Sequence, residues 1–243
     1  MLNMRKVSIF LPDSYREEYI ALYIKLIENY KKISTQIFSS VDKTTEEYSK
    51  MLEKKANTNY DFELVDPGDV LESIYHETIE FYEMEKLMEY NFKLSSLASA
   101  YQMLEQQLRK FMYEEINHDF NKIQKNDFLD FGTNMREIKK LYKFVGYDLS
   151  SNKHWSDIED LYDIVNTFKH GSGRSSQRLY EKNPGLFLKS EFSGKSLINL
   201  ELTSNATIVL DISHLDVEYY INTIIDFWKE FPEETSAEHP VAG

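Results

Sequence analysis

Most of the chain has apolar residues at intervals of three and four, the spacing that places them on one face of an α-helix. The first such stripe starts after a capping Asp13 or Ser14 and reaches toward Lys55. Its apolar members are Ile20, Tyr23, Ile24, Ile27, Tyr30, Ile33, Ile37 and Val41. We expect one long amphipathic helix here, broken between Asn57 and Asp61.

A second helix is expected to begin at Asp66-Pro67, because an aspartate caps helices well and proline fits the first helical position. Its apolar stripe can continue without a clear break into a third, more regular stripe. That third stripe holds Leu94, Leu97, Ala98, Tyr101, Leu104, Leu108, Phe111, Met112, Ile116 and Phe120. A loop is predicted from Phe128 to Thr133.

Two shorter helices are predicted in the second half of the chain. One runs from Met135 to Val145 and is stopped by Gly146, and the other runs from Trp155 to the residue before Gly171. The small polar residues from 172 to 177 predict a mobile loop after the second of these helices.

The pattern changes after residue 185. Leu186–Phe192 and Ala206–Ile212 are short, partly β-branched runs, which predict a small β-hairpin. Asp216 can cap a last helix that Pro232 ends. The tail over residues 233–243 is expected to be disordered.

Together these elements predict a mainly α protein, an up-and-down helical bundle with a small β-hairpin before the C-terminal helix. We expect one domain over residues 1–232. Its parts are an N-terminal helical hairpin at about 13–92, a core at about 93–185, and the β-hairpin with the final helix at about 186–231. The 243 residues, 42% of them apolar, are enough to bury such a core.

The formal net charge, 28 minus 41 or −13, excludes a general nucleic-acid coating protein. Binding to RNA or DNA therefore needs a local basic patch. Residues 166–190 have one acidic residue, Glu181, and five basic ones: Lys169, Arg174, Arg178, Lys182 and Lys189. This surplus is either such a patch or an ordinary solvated surface.

The sequence also limits the cellular compartment and the cofactors that we expect. No apolar run is long enough for a transmembrane helix, and the stretch from Val7 to Leu11 is too short for a signal peptide, so we expect a cytoplasmic protein with no membrane partner. The chain has no cysteine, which excludes disulfides and Cys-ligated metals. A lone Glu-x-x-His at Glu115 to His118 falls short of a di-iron site, so no metal or other cofactor is expected.

The candidate chemistry lies at the end of the helix that starts at Trp155. Asn166 and His170 are four positions apart and therefore share one helix face. A histidine titrates near neutrality and suits proton transfer to or from a ribose oxygen. Lys169, Arg174 and Arg178 are the cations expected to contact phosphate.

This helix resembles the last core helix of HEPN domains, whose signature is an arginine, often followed directly by asparagine, with a histidine a few residues later. The segment Leu104–Leu108 is similar to an early HEPN helix with a glutamate among apolar positions. The resemblance covers about residues 90–185. It implies a metal-independent endoribonuclease, formed by a homodimer in which arginine and histidine meet at the subunit interface.

One position departs from the family pattern. Val165 stands where the family has its arginine, on an apolar stripe with Ile158, Leu161 and Phe168. The site then lacks the cation expected to stabilise a charged pentavalent phosphate, and such a loss costs about two to three orders of magnitude in rate.

Three hypotheses remain open. The first is an RNA-directed, HEPN-like endoribonuclease of a bacterial toxin or antiphage defence system, in which His170 is the acid or base, Asn166 orients it, and Lys169 or Arg174 holds phosphate. The second is a catalytically degenerate scaffold that binds RNA, a nucleotide or a partner protein through residues 169–178. The third, which follows from the acidic charge, is a protein-interaction module with no role in nucleic-acid binding.

Overall fold

The structure, a computed structural model, describes residues 4–60, 65–117, 134–189, 194, 196 and 209–240. Within these residues the chain is mainly helical, with a small two-stranded antiparallel sheet. The predicted mainly α class and helical bundle are therefore confirmed.

The elements follow one another in this order: strand β1 (Met4–Phe10), helices α1 (Asp13–Ile33), α2 (Val41–Asn59), α3 (Pro67–Asn117), α4 (Met135–Phe144), α5 (Trp155–His170), α6 (Arg174–Lys182) and α7 (Val217–Glu230), and strand β2 (Glu234–Pro240). A π-helical turn at Ser34–Phe38 lies between α1 and α2. Short 3-10 turns occupy Leu149–Ser151, Pro184–Leu186 and Ile212–His214.

Several helix ends are where the sequence predicts them. At the start of α3, the Asp66 carboxylate accepts a hydrogen bond from the Gly68 amide at 2.7 Å. At the start of α7, the Asp216 carboxylate accepts one from the Tyr219 amide at 3.0 Å. After α5 the chain turns at Gly171, whose φ of 66° lies in the left-handed region that glycine adopts without strain.

The first predicted helix is interrupted, which is a correction. An additional break falls at residues 34–40, whereas the predicted end of the helix in the stretch that starts at Asn57 is confirmed, because α2 ends at Asn59. Here the Ser39 hydroxyl donates to the Thr35 carbonyl, and the Thr44 hydroxyl donates to the Ser40 carbonyl at 2.9 Å. Hydroxyl side chains that bond nearby carbonyls bend or loosen a helix, and the apolar spacing alone does not reveal this.

The chain divides into two compact units. The first consists of Met1–Ile27 and Ser96–Gly243, and the second is Glu28–Ser95. In the second unit, Tyr30 stacks on Phe92 at 5.5 Å between ring centroids, and Tyr48 stacks on Phe81 at 4.3 Å. The predicted organisation as one HEPN-like domain stays a prediction.

The core of the first unit contains a buried polar centre. Gln107 of α3 accepts two hydrogen bonds at its Oε1 atom, from the Tyr23 hydroxyl at 2.7 Å and from the Trp228 indole nitrogen at 2.9 Å. Apolar side chains of α3, α5 and α7 are buried in the same unit, among them Leu104, Leu108, Leu161, Ile164, Ile224 and Phe227. The side chains of Tyr23 and Trp228 are fully buried, so Gln107 ties three helices together inside the core.

The C-terminal tail is ordered, contrary to the predicted disorder over residues 233–243. Residues 234–240 form β2, which pairs antiparallel with β1 so that Ser8 lies opposite Ser236. The apolar side chains Val7, Ile9 and Leu11 alternate along the N-terminal segment and are buried, and β2 satisfies the backbone of that strand. Residues 241–243 lie outside the described residues.

The predicted β-hairpin is described only in part, because residues 190–193 and 206–208 lie outside the described residues. An antiparallel bridge joins Phe187 to Leu210, and the Leu188 amide donates to the Val209 carbonyl at 3.0 Å. The two predicted runs therefore pair as expected.

The predicted mobile loop after α5 is wrong from Arg174 onward, because these residues begin α6. The Ser176 hydroxyl accepts from the Gly173 amide at 2.8 Å, and Leu179 is buried. One buried leucine in a polar stretch does not make a recognisable apolar stripe, so tertiary contacts decide this helix. The predicted loop at 128–133 lies outside the described residues.

Candidate functional site

Helix α5 has one buried face and one exposed face. Ile158, Leu161, Ile164 and Val165 are each at most 2% exposed, which confirms the interpretation of Val165 as a core residue. The side chain at this position, where the HEPN resemblance would place an arginine, is therefore inside the core and supplies no charge.

Asn166 and His170 form no hydrogen bond with each other. The Asn166 side-chain amide donates to the Tyr162 carbonyl at 2.9 Å, one turn earlier in the same helix. His170 is exposed, and no described residue is its hydrogen-bond partner. The structure shows no hydrogen bond by which Asn166 would orient His170, and the catalytic role of these two residues stays a prediction.

The predicted phosphate-binding cations divide into two kinds. Lys169 and Arg174 are exposed, and neither has an ion-pair partner in the described part of the chain. Arg178 instead donates from Nε to the Asp163 carboxylate at 3.0 Å and from Nη2 to its other oxygen. This bidentate hydrogen bonding raises the pKa of Arg178 and joins α6 to α5.

Removing the Arg178 guanidinium is expected to destabilise the first unit. Asp163 is only 5% exposed, so Arg178→Met leaves a buried carboxylate without its cation. We expect a loss of about 2 kcal/mol in unfolding free energy, less than for a fully buried pair because the arginine is half exposed. Urea denaturation measures it.

The control is Arg174→Met, which removes an exposed cation with no described partner and should change the stability by less than about 0.5 kcal/mol. Adding Asp163→Leu to Arg178→Met should restore most of the loss. If the double variant is no more stable than Arg178→Met, the ion pair is not the cause.

A groove of about 230 Å³ lies between α3 and α5, and we call it the α3–α5 groove. Helix α5 contributes Tyr162, Val165, Asn166 and Lys169, and α3 contributes Tyr101, Gln102, Glu105, Gln106 and Arg109. The groove therefore brings the predicted residues Asn166 and Lys169 together with α3 side chains that the sequence analysis did not select. His170, Arg174 and Arg178 do not line it.

Arg109 is the main residue that the sequence analysis missed. Its Nη2 atom donates to the Glu105 carboxylate at 2.5 Å, while its buried Nε has no hydrogen-bond partner among the described residues. Buried donors are nearly always paired, so an unpaired N–H beside a groove is an unusual feature. The only sequence signal was a Glu–Arg pair at a spacing of four, which usually stabilises an exposed helix face.

The groove contains side chains that can bind a polar or anionic ligand. Two cations, Arg109 and Lys169, lie with three amide side chains and with the Glu105 carboxylate, which pairs with Arg109. Cations and amides of this kind contact phosphate and sugar oxygens in nucleic-acid complexes. No imidazole lines this groove. In the described part of the chain, no three His, Asp or Glu side chains converge as a metal ion would require.

A bilayer crossing needs a long apolar run, and the helices in the described ranges contain none.

Comparison with known proteins gives no relatives: no family model, no curated protein and no solved structure matches this chain. The resemblance to HEPN domains stays a prediction that depends on Asn166, His170 and their helical context.

Proposed function

We propose that this chain is a HEPN-like RNA-binding protein that holds RNA in the α3–α5 groove and does not cut it. The observation that supports this most is the position of Arg109 and Lys169 in one groove. Both cations come together there, with three amides and the one carboxylate of Glu105, which pairs with Arg109, so positive charge exceeds negative charge by one in a chain whose net charge is −13. A local basic site is what an acidic protein needs in order to hold a polyanion.

The state of the predicted catalytic residues favours binding over cleavage. Phosphodiester cleavage needs a positioned acid or base and a cation at the developing phosphate charge. Here the Asn166 amide is bonded to Tyr162, and Val165 is buried where the family has its cation. His170 stands alone on the surface, which suits an accessory phosphate contact.

Single-stranded RNA is the polyanion that fits this surface best. Tyr162 lines the groove and is 38% exposed, so a base can stack on its ring. The amides of Gln102, Gln106 and Asn166 can contact 2′-hydroxyls and base edges, and these contacts distinguish RNA from DNA. Lys169 and Arg109 then hold the backbone phosphates.

The HEPN resemblance supports two further parts of the proposal. We propose a homodimer, which light scattering of the purified protein would detect as twice the chain mass. We also propose a place in the cytoplasm, in a bacterial toxin or defence system. A monomer in solution would contradict the dimer and leave the RNA-binding groove untouched.

Loss of either groove cation should weaken RNA binding. We expect Lys169→Ala and Arg109→Gln each to reduce the affinity for a labelled single-stranded RNA pool by about tenfold and to lower the salt slope of log K by about one. Fluorescence anisotropy at several salt concentrations measures both quantities. Lys143→Gln, an exposed cation on α4 outside the groove, is the charge-matched control.

The same RNA pool tests cleavage. Wild-type protein in EDTA is expected to bind the RNA and leave it intact, and His170→Ala is expected to do the same. Cleavage that disappears in His170→Ala would overturn the non-catalytic proposal. Equal RNA affinity of Lys169→Ala and Lys143→Gln would instead exclude the groove as the binding site.

A further inference from the structure

A second, larger cavity of the first unit lies beside the α3–α5 groove and shares Tyr101 and Tyr162 with it. Its volume is about 470 Å³, and side chains of α3, α4, α5 and α6 line it. Small-molecule sites typically enclose about 300 to 1,000 Å³. We call it the aromatic cavity, because the aromatic residues Tyr101, Trp155 and Tyr162 are part of its lining.

These rings are held in place by the surrounding residues. The Tyr101 and Tyr162 centroids are 5.5 Å apart. The Trp155 indole nitrogen donates to the Glu159 carboxylate at 3.2 Å, and the Lys139 amine lies 5.1 Å from the Trp155 ring centroid. An aromatic wall that is already ordered binds a flat ring with little further loss of side-chain entropy.

Within the described residues, the charges around the aromatic cavity leave one cation, Arg136, without an ion-pair partner. Glu159 pairs with Lys139 at 2.5 Å, and Asp163 pairs with Arg178. Lys182, also in the wall, pairs with Asp160. Arg136 lines the cavity too, and no residue of the described ranges forms an ion pair with it. A bound anion would therefore find its partner at Arg136.

The hydroxyl of Tyr101 is a second polar group of the cavity that a ligand could contact. Its side chain is 5% exposed, and its hydroxyl has no hydrogen-bond partner in the described part of the chain. A buried hydroxyl without a hydrogen-bond partner is destabilising. A polar atom of a bound molecule would satisfy it.

We propose that the aromatic cavity binds a planar aromatic small molecule with one acidic group. The ring lies against Tyr162 and Trp155, the acidic group contacts Arg136, and the Tyr101 hydroxyl donates to a polar atom of the ligand. This site goes beyond the proposed RNA binding and does not depend on it, because Arg136 and Trp155 do not line the α3–α5 groove.

Calorimetric titration of the full chain tests the proposal with two probes, 2-naphthoate and its neutral counterpart 2-naphthamide. We expect one 2-naphthoate per chain, bound at least about tenfold more tightly than the amide, because the charged hydrogen bond to Arg136 is the stronger one. Arg136→Gln should remove this preference. Lys140→Gln, an exposed cation of α4 outside the cavity wall, should retain it.

Tyr101→Phe provides an independent check, because it removes only a hydroxyl that has no described partner. It should weaken 2-naphthoate binding several-fold while the protein remains folded. The proposal is overturned if neither probe binds, or if Arg136→Gln prefers 2-naphthoate as strongly as Lys140→Gln does. RNA affinity measured on Arg136→Gln should remain that of the wild type, which separates this site from the groove.

Discussion

Replacing Gly146 with alanine is expected to destabilise the first unit by about 3 kcal/mol, through left-handed backbone strain and the displacement of a neighbouring strand. Gly146 follows α4 with a φ of 90°, a conformation that side chains rarely adopt. An added Cβ would lie 2.7 Å from the carbonyl carbon of Ser236 in β2. Since β2 cannot stay in place without relieving this overlap, its pairing with β1 should weaken.

Two measurements check this prediction. Urea denaturation reports the loss of unfolding free energy, and limited proteolysis reports release of the tail as earlier cleavage within residues 234–240. The control is Gly173→Ala, because Gly173 has extended backbone with a φ of 175° and no described atom within 4 Å of an added Cβ. That variant should stay within about 0.5 kcal/mol of the wild type. Equal stability of both variants would show that β2 does not pack against Gly146.

Replacing Gln107 with leucine is expected to cost about 2 to 4 kcal/mol, because it leaves two buried donors without an acceptor. The donors are the Tyr23 hydroxyl and the Trp228 indole N–H, which both bond to Gln107 Oε1. Burial raises the pKa of Tyr23, so its hydroxyl stays protonated and needs an acceptor at any pH at which the protein is folded. The buried Gln107 Nε2 has no described partner, so losing it costs nothing.

A double-mutant cycle separates the hydrogen bonds from packing. Tyr23→Phe in the Gln107→Leu background should recover part of the loss, since it removes one of the two orphaned donors. Gln106→Leu is the matched control, because Gln106 is the exposed neighbour on α3 and its replacement should be nearly neutral. An unchanged midpoint for Gln107→Leu would mean that this polar centre contributes no net stability.

Strand β2, which passes close to Gly146, also shows why the predicted disorder of residues 234–240 is wrong. Residues 234–240 have little apolar character of their own, and their order comes from pairing with β1 more than two hundred positions earlier. The Thr235 hydroxyl donates to the Val145 carbonyl at 3.2 Å, and the His239 ring stacks on Phe144 at 3.9 Å. These partners are distant in sequence, so a local pattern cannot reveal them.

The candidate site, like the fold, was predicted only in part from the local spacing of residues. The periodicity of α5 was enough to place Val165 in the core and Lys169 outside it, because burial in a helix follows a spacing of three and four. The same spacing suggested that Asn166 and His170 act together, but sharing a face does not make two side chains bond. The Asn166 amide donates instead to the Tyr162 carbonyl one turn earlier in the same helix, a local alternative to a side-chain partner.

By itself the sequence determined the helical class, most helix ends, the buried face of α5 and the excess of positive charge after it. These features depend on neighbours within a few positions, where periodicity and caps decide the outcome. Only the tertiary structure decided that β1 pairs with β2, that Arg178 is bound to Asp163, and that Arg109 joins Lys169 in one groove. Each of these contacts joins residues of different elements. It depends on how those elements pack in the folded protein, and the local spacing of apolar residues does not predict that packing.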